Sequence, residues 1–114
     1  MKLRDLMAEL GLEHLSGEKL DVDVAGGYVS DMLSDVMGNA PEGALWITLQ
    51  KHQNIVAVAV MKSLAAVVLV KGRQPDEDTL SRAKEEDVVL LKTPLSAFEV
   101  VGKLYALGLG RGEA

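Results

Sequence analysis

Three consecutive segments decide how this chain folds: Ala44-Leu45-Trp46-Ile47-Thr48, then Asn54-Ile55-Val56-Ala57-Val58-Ala59-Val60-Met61, then Ala66-Val67-Val68-Leu69-Val70. The first and third are short apolar runs rich in β-branched residues, the pattern of strands buried on both faces. The middle segment is long enough for a helix and is apolar on every side. A strand, a helix and a second strand of this kind form a right-handed crossover between parallel strands.

Outward from this unit the alternation continues. Val22-Asp23-Val24-Ala25 reads as an earlier strand closed by Gly26-Gly27, and Ser30-Asp31 opens a helix with Met32, Leu33, Val36 and Met37 on its apolar side. Further on, Gly72-Arg73-Gln74-Pro75 reads as a turn. Asp76-Glu77-Asp78 sets acid at a helix start, where the dipole favours it, and Leu80 and Ala83 give that helix its apolar side. Val88-Val89-Leu90-Leu91 is the next strand. Thr93-Pro94 starts a last helix carrying Phe98, Val101, Leu104 and Tyr105. Leu3, Leu6, Met7 and Leu10 recur at helical spacing before a Gly11 stop. The strands begin near Val22, Ala44, Ala66 and Val88, an even spacing of structure without a repeat of residues. The alternation predicts one α/β domain over residues 1–114 with a parallel or mostly parallel sheet, and the end, 109–114, is expected to be disordered.

Composition narrows the function. The 114 residues carry a formal net charge of −5 and no cysteine. The acidic balance disfavours nucleic acid and anionic membranes, and without thiols neither disulfides nor thiolate metal sites can form. The longest apolar run, Ile55–Met61, is too short to span a bilayer. A cytoplasmic location is expected.

In a parallel sheet the C-terminal strand ends share one edge, where ligands of open α/β folds bind. The loops expected there are Gly26-Gly27-Tyr28, Leu49–Asn54, Lys71-Gly72-Arg73 and Lys92–Ser96. The candidate ligand-binding residues are Gly26, Gly27, Tyr28, Ser30, Asp31, Gln50, His52, Asn54, Thr93 and Ser96, and of these Gly26, Gly27, Gln50, His52, Asn54, Thr93 and Ser96 are expected around one depression at the strand ends. Each has a plainer reading. Gly26-Gly27 serves equally as a tight turn, Ser30 and Asp31 as a helix cap, His52 as a hydrogen-bonded loop residue, and Ser96 with Glu99 as a capping box. Lys71 and Arg73 could hold a phosphate or simply be solvated. No phosphate loop G-x-x-x-x-G-K-[ST], no G-x-G-x-x-G, no H-E-x-x-H and no G-x-S-x-G occurs. No metal or cofactor is expected.

Three blocks carry a resemblance: Gly26 through Met37, Leu45 through Ala59, and Thr93 through Glu99. Together they resemble the small stand-alone DRTGG-domain proteins of bacteria, relatives of the HPr serine kinase. The resemblance implies a three-layer α/β/α sandwich around a mostly parallel sheet of four to five strands, similar to the N-terminal domain of HPr kinase. It also implies a regulatory character, since DRTGG domains occur beside CBS pairs in regulated pyrophosphatases. The kinase's phosphate loop belongs to a separate domain, so no autonomous kinase activity is expected. Of the namesake letters, Asp23-Val24-Ala25-Gly26-Gly27 keeps the Asp and both Gly. The leading expectation is a non-catalytic regulatory or ligand-binding domain, sensing a nucleotide or phosphorylated metabolite. The alternatives are a small enzyme using Asp31, His52 or Glu99, and a module that docks a partner protein. A homodimer is expected through the helix Asn54–Met61, whose all-round apolar surface the sheet can cover on one side only.

Overall fold

The computed structural model describes residues 1–110. The chain runs α1 (Leu3–Leu10), β1 (Glu13–Ser16), β2 (Gly26–Val29), α2 (Leu33–Asn39), β3 (Ala44–Thr48), α3 (Asn54–Met61), β4 (Ala66–Leu69), α4 (Glu77–Glu85), β5 (Leu90–Lys92), α5 (Ala97–Ala106). The five strands lie in the order β1-β5-β4-β3-β2. β2, β3, β4 and β5 are mutually parallel, and β1 runs antiparallel against β5.

Period-two alternation sorts the strand side chains into two cores. Leu45 and Ile47 of β3 and Val68 of β4 meet Leu3, Leu6 and Leu10 of α1 and Val100 and Leu104 of α5. Trp46, Val67 and Leu69 point the other way, against Val36 of α2, Ile55, Val56 and Ala59 of α3, and Ala83 of α4. The result is the expected α/β/α sandwich. All five residues of β3 are buried, as a strand covered on both faces requires.

Several expectations are corrected. The strand expected at Val22–Ala25 forms four residues later, at Gly26–Val29, paired from Gly26↔Ala44 to Val29↔Ile47. Val22 to Val24 bond elsewhere: Leu3 N–H donates to the Val22 carbonyl, Val24 N–H to the Met1 carbonyl, and Lys2 bridges Asp23. With that backbone held by the chain's start, the glycines enter the sheet despite their poor strand propensity. The next helix begins at Leu33, not at Ser30-Asp31, and Met32 is 64% exposed. Thr93-Pro94 does not start α5; its N-cap is Ser96, with the full capping box formed by Ser96 and Glu99. β1, polar and four residues long, had no apolar alternation to announce it.

α3 has the expected limits, but what covers it differs. α2 and α4 flank it on the sheet face and bury Ile55, Val56, Val58 and Ala59, while α1 lies on the opposite face of the sheet. The exposed apolar remainder is Ala57, Val60 and Met61. The dimer argument from this helix therefore loses its premise of a wholly uncovered side. Of the end expected to be disordered, Leu109 is half-buried and its N–H donates to the Leu104 carbonyl; 111–114 lie outside the described residues.

Candidate functional site

The C-terminal ends of β2, β3, β4 and β5 share one edge, and the loops leaving them are joined by hydrogen bonds. Asp31, after β2, reaches β3: its Oδ1 accepts from the Thr48 hydroxyl at 2.8 Å and from the Leu49 N–H at 2.8 Å. Gln50 Nε2 donates back to the Asp31 carbonyl at 2.8 Å, and the Gln50 N–H donates to Thr48 Oγ1 at 3.1 Å. Ser30 is held through its carbonyl, which accepts from Trp46 Nε1 at 2.8 Å, while its hydroxyl oxygen accepts from the Met32 N–H. After β3, the Lys51 carbonyl accepts from the buried Thr79 hydroxyl of α4 at 2.7 Å.

The other half of the edge is tied in the same way. Lys71 and Gly72, after β4, both take left-handed conformations, with φ of 56° and 67°. That turn aims their N–H groups at the carbonyls of Leu95 and Thr93, at 2.8 Å each. Thr93 Oγ1 accepts from the Leu95 N–H at 3.2 Å. Lys92 Nζ donates to Gln74 Oε1 at 2.8 Å, and Lys51 pairs with Asp76 at 3.8 Å. The side chains of Lys71 and Arg73 have no hydrogen-bond or ion-pair partner among the described residues.

Ser30, Asp31, Gln50, His52, Asn54, Thr93 and Ser96 thus share the expected edge, with Gln50 and Thr93 both on it. Gly26 and Gly27 do not. They begin β2 beside Ala44 and Leu45, at the opposite end of the strand. Tyr28 also leaves the group: its hydroxyl donates to the Asp35 carboxylate at 2.9 Å, fastening β2 to α2. The hydroxyls of Ser30 and Tyr28 and the Asn39 amide hold the Asp35 carboxyl below its ordinary range, and Asp35 in turn raises the Tyr28 hydroxyl.

Each candidate acid or base is engaged locally. Asp31 serves Thr48 and Leu49, His52 Nδ1 accepts from the Asn54 N–H at 3.2 Å, and Glu99 closes the Ser96 cap. No hydrogen bond joins any two of the three. Among the described residues no group of three or more His, Asp or Glu is placed to hold a metal ion.

A cavity of about 390 Å³ lies at the other edge of the sheet, among Gly43, Ala65, Val88 and Val89 at the strand starts and the ends of α3 and α4. Asp23, Glu42, Glu86 and Asp87 line it against a single Lys19. Helix C-termini and carboxylates both repel phosphate, so the anion-compatible edge is the one that carries Lys71 and Arg73. The sequence marked those two cations. It gave no sign that their backbone is pinned to Thr93 and Leu95, because that tie spans more than twenty residues.

A family model described as the DRTGG domain matches residues 5–107. No curated protein matches the chain. Among solved structures, the CBS and DRTGG domains of the regulatory region of Clostridium perfringens pyrophosphatase, complexed with the activator diadenosine tetraphosphate, superpose with a TM-score of 0.70 at 18% identity. The match covers 89% of this chain and 46% of that one, so this chain spans less than half of the neighbour's length. At that identity the likeness speaks for the fold alone. Among the described residues no helix is long and apolar enough to cross a membrane.

Proposed function

Because the chain belongs to the DRTGG domain family, we propose that it is a non-catalytic regulatory domain whose C-terminal strand edge takes a nucleotide or another phosphorylated small molecule. The observation that carries this reading is the Lys71–Arg73 turn. Two cations without side-chain partners stand on a backbone fixed by hydrogen bonds to Thr93 and Leu95, close to the start of α5. With the backbone already fixed, only the two side chains have to be ordered when they meet a phosphate, which lowers the cost of binding. Gln50, His52 and Asn54 supply further polar contacts along the same edge.

The solved neighbour supports the choice of ligand class, since its regulatory region is complexed with a dinucleotide activator. The engagement of Asp31, His52 and Glu99 in local hydrogen bonds argues for binding over chemistry. Phosphoryl transfer by the chain alone is not part of this reading, and incubation with labelled ATP is expected to leave HPr and the domain itself unlabelled. The cysteine-free composition suits a reducing compartment, and the proposal places the domain in the cytoplasm.

A thermal-shift titration tests the proposal. ATP, ADP, AMP, diadenosine tetraphosphate and inorganic phosphate are compared on the wild-type chain and on the Lys71→Ala/Arg73→Ala double variant. A specific binder stabilises the native state by about 2.7 kcal/mol at a hundredfold excess over its Kd. The double variant should keep its unliganded melting temperature and lose the shift. No shift with any phosphorylated compound, or an equal shift in the variant, would overturn the proposal.

A further inference from the structure

Among the described residues Phe98 is the most exposed of the large apolar side chains, at 89%. A single apolar residue on a surface is ordinary. Its place is what marks this one. The buried side of α5 is Val100 and Leu104, and Phe98 stands apart from it in the first turn of the helix, two residues after the Ser96 N-cap. That turn is fixed twice. The Ser96–Glu99 capping box closes it, and the residue before the cap, Leu95, accepts the Lys71 N–H through its carbonyl at 2.8 Å.

Three residues lead from Leu95 to Phe98, at most about 10 Å of chain. An aromatic ring open to solvent and the side chains of Lys71 and Arg73 therefore stand on one hydrogen-bonded frame, within the span of a single nucleotide. The ring and the cations suit different parts of such a ligand. A base offers a flat π-face to an aromatic ring, and phosphate oxygens pair with ammonium and guanidinium groups. Glu99 decides which way round the ligand lies. Its carboxyl, held below its ordinary range by the Ser96 N–H and hydroxyl, puts negative charge at the start of α5. The phosphates are kept off the helix end and directed to Lys71 and Arg73, which leaves the neutral base for Phe98.

We propose, resting on the phosphate-binding reading of this edge, that Phe98 is the platform on which the base of a nucleotide stacks while its phosphates pair with Lys71 and Arg73. The ligand of the edge is then a nucleotide in particular, and a phosphorylated compound without a base binds through the cations alone. Stacking uses the face of the base and not its edge groups, so the preference for one base over another is weak.

Calorimetric titration with ADP and with inorganic diphosphate separates the two contributions, because the ligands share their phosphates and differ in the nucleoside. The parent chain should bind ADP about tenfold or more tighter than diphosphate. Phe98→Ala removes an exposed side chain and should melt like the parent without ligand. It should bring ADP to the affinity of diphosphate and leave diphosphate unchanged, and Phe98→Leu, apolar but without a ring, should show a similar loss. Phe98→Trp should keep the preference, with the added indole quenched by ADP and not by diphosphate. Lys71→Ala/Arg73→Ala should weaken both ligands. Equal affinity of the parent for ADP and diphosphate, or a Phe98→Ala variant that keeps the preference, overturns the stacking role while the phosphate edge stands. Absence of binding by both ligands, or binding undiminished in the double variant, overturns the phosphate edge itself and the stacking role with it.

Discussion

Replacing Asp31 by alanine tests whether that carboxylate is part of the frame that holds the C-terminal strand edge. Its Oδ1 accepts two hydrogen bonds, and they differ in value. The Leu49 N–H is in an exposed setting, where water takes the place of the lost acceptor. The Thr48 hydroxyl belongs to a residue only 2% exposed and would keep an unsatisfied donor. An orphaned buried donor costs about 1–3 kcal/mol, and a bond to a charged acceptor is worth about 1.5–3 kcal/mol where water is excluded. With the exposed bond discounted, Asp31→Ala should destabilise by about 2–3 kcal/mol. At this chain length that is a fall in Tm of roughly 8–12 °C. Urea unfolding followed by fluorescence suits the measurement, since Trp46 is the one tryptophan, is fully buried, and donates to the carbonyl of the residue preceding Asp31. A double-mutant cycle with Thr48→Val should give a coupling of about 1 kcal/mol. A loss below about 0.5 kcal/mol without ligand, or zero coupling, would show that the Asp31–Thr48 bond does not hold the edge, and the carboxylate would then be free for a ligand.

Other outcomes follow from single sites. Gly17 has φ of 84°, and a Cβ there would lie 2.6 Å from the Val89 backbone, so Gly17→Ala should cost about 3 kcal/mol or more by chemical denaturation. Ser96→Ala removes the α5 cap and should cost about 1 kcal/mol, with Ser96→Gly costing only a few tenths. The Asp35 carboxyl is lowered by Ser30, Tyr28 and Asn39, and that of Glu99 by the Ser96 N–H and hydroxyl. Both contributions are complete above the ordinary carboxylate range and are lost as the pH falls through the depressed folded values. Stability should therefore be level from neutral pH to about 5 and decline below it, and Asp35→Asn with Glu99→Gln should flatten that acid limb.

The sequence alone determined the elements whose signal is local. β3, α3 and β4 stand where apolar β-branched runs and an apolar helix predict them; the two strands are buried throughout and leave no choice of face, and α3 is the crossover between them. The Ser96–Glu99 cap was equally legible, since all of its partners lie within four residues. Tertiary structure decided what depends on distant backbone. Val22–Val24 carries a better strand signal than Gly26–Gly27, yet residues 1–3 occupy its hydrogen bonds and the glycines take the place beside β3. That one shift removed Gly26, Gly27 and Tyr28 from the C-terminal strand edge. The cover of α3 turned on which face of the sheet each helix takes, which periodicity does not encode. From the sequence the last helix carries Phe98, Val101, Leu104 and Tyr105 without distinction. Only the packed chain shows that Val100 and Leu104 face the core while Phe98 and Gly102 face outward, because a hydrophobic pattern gives a helix its period but not which arc of it the sheet will cover.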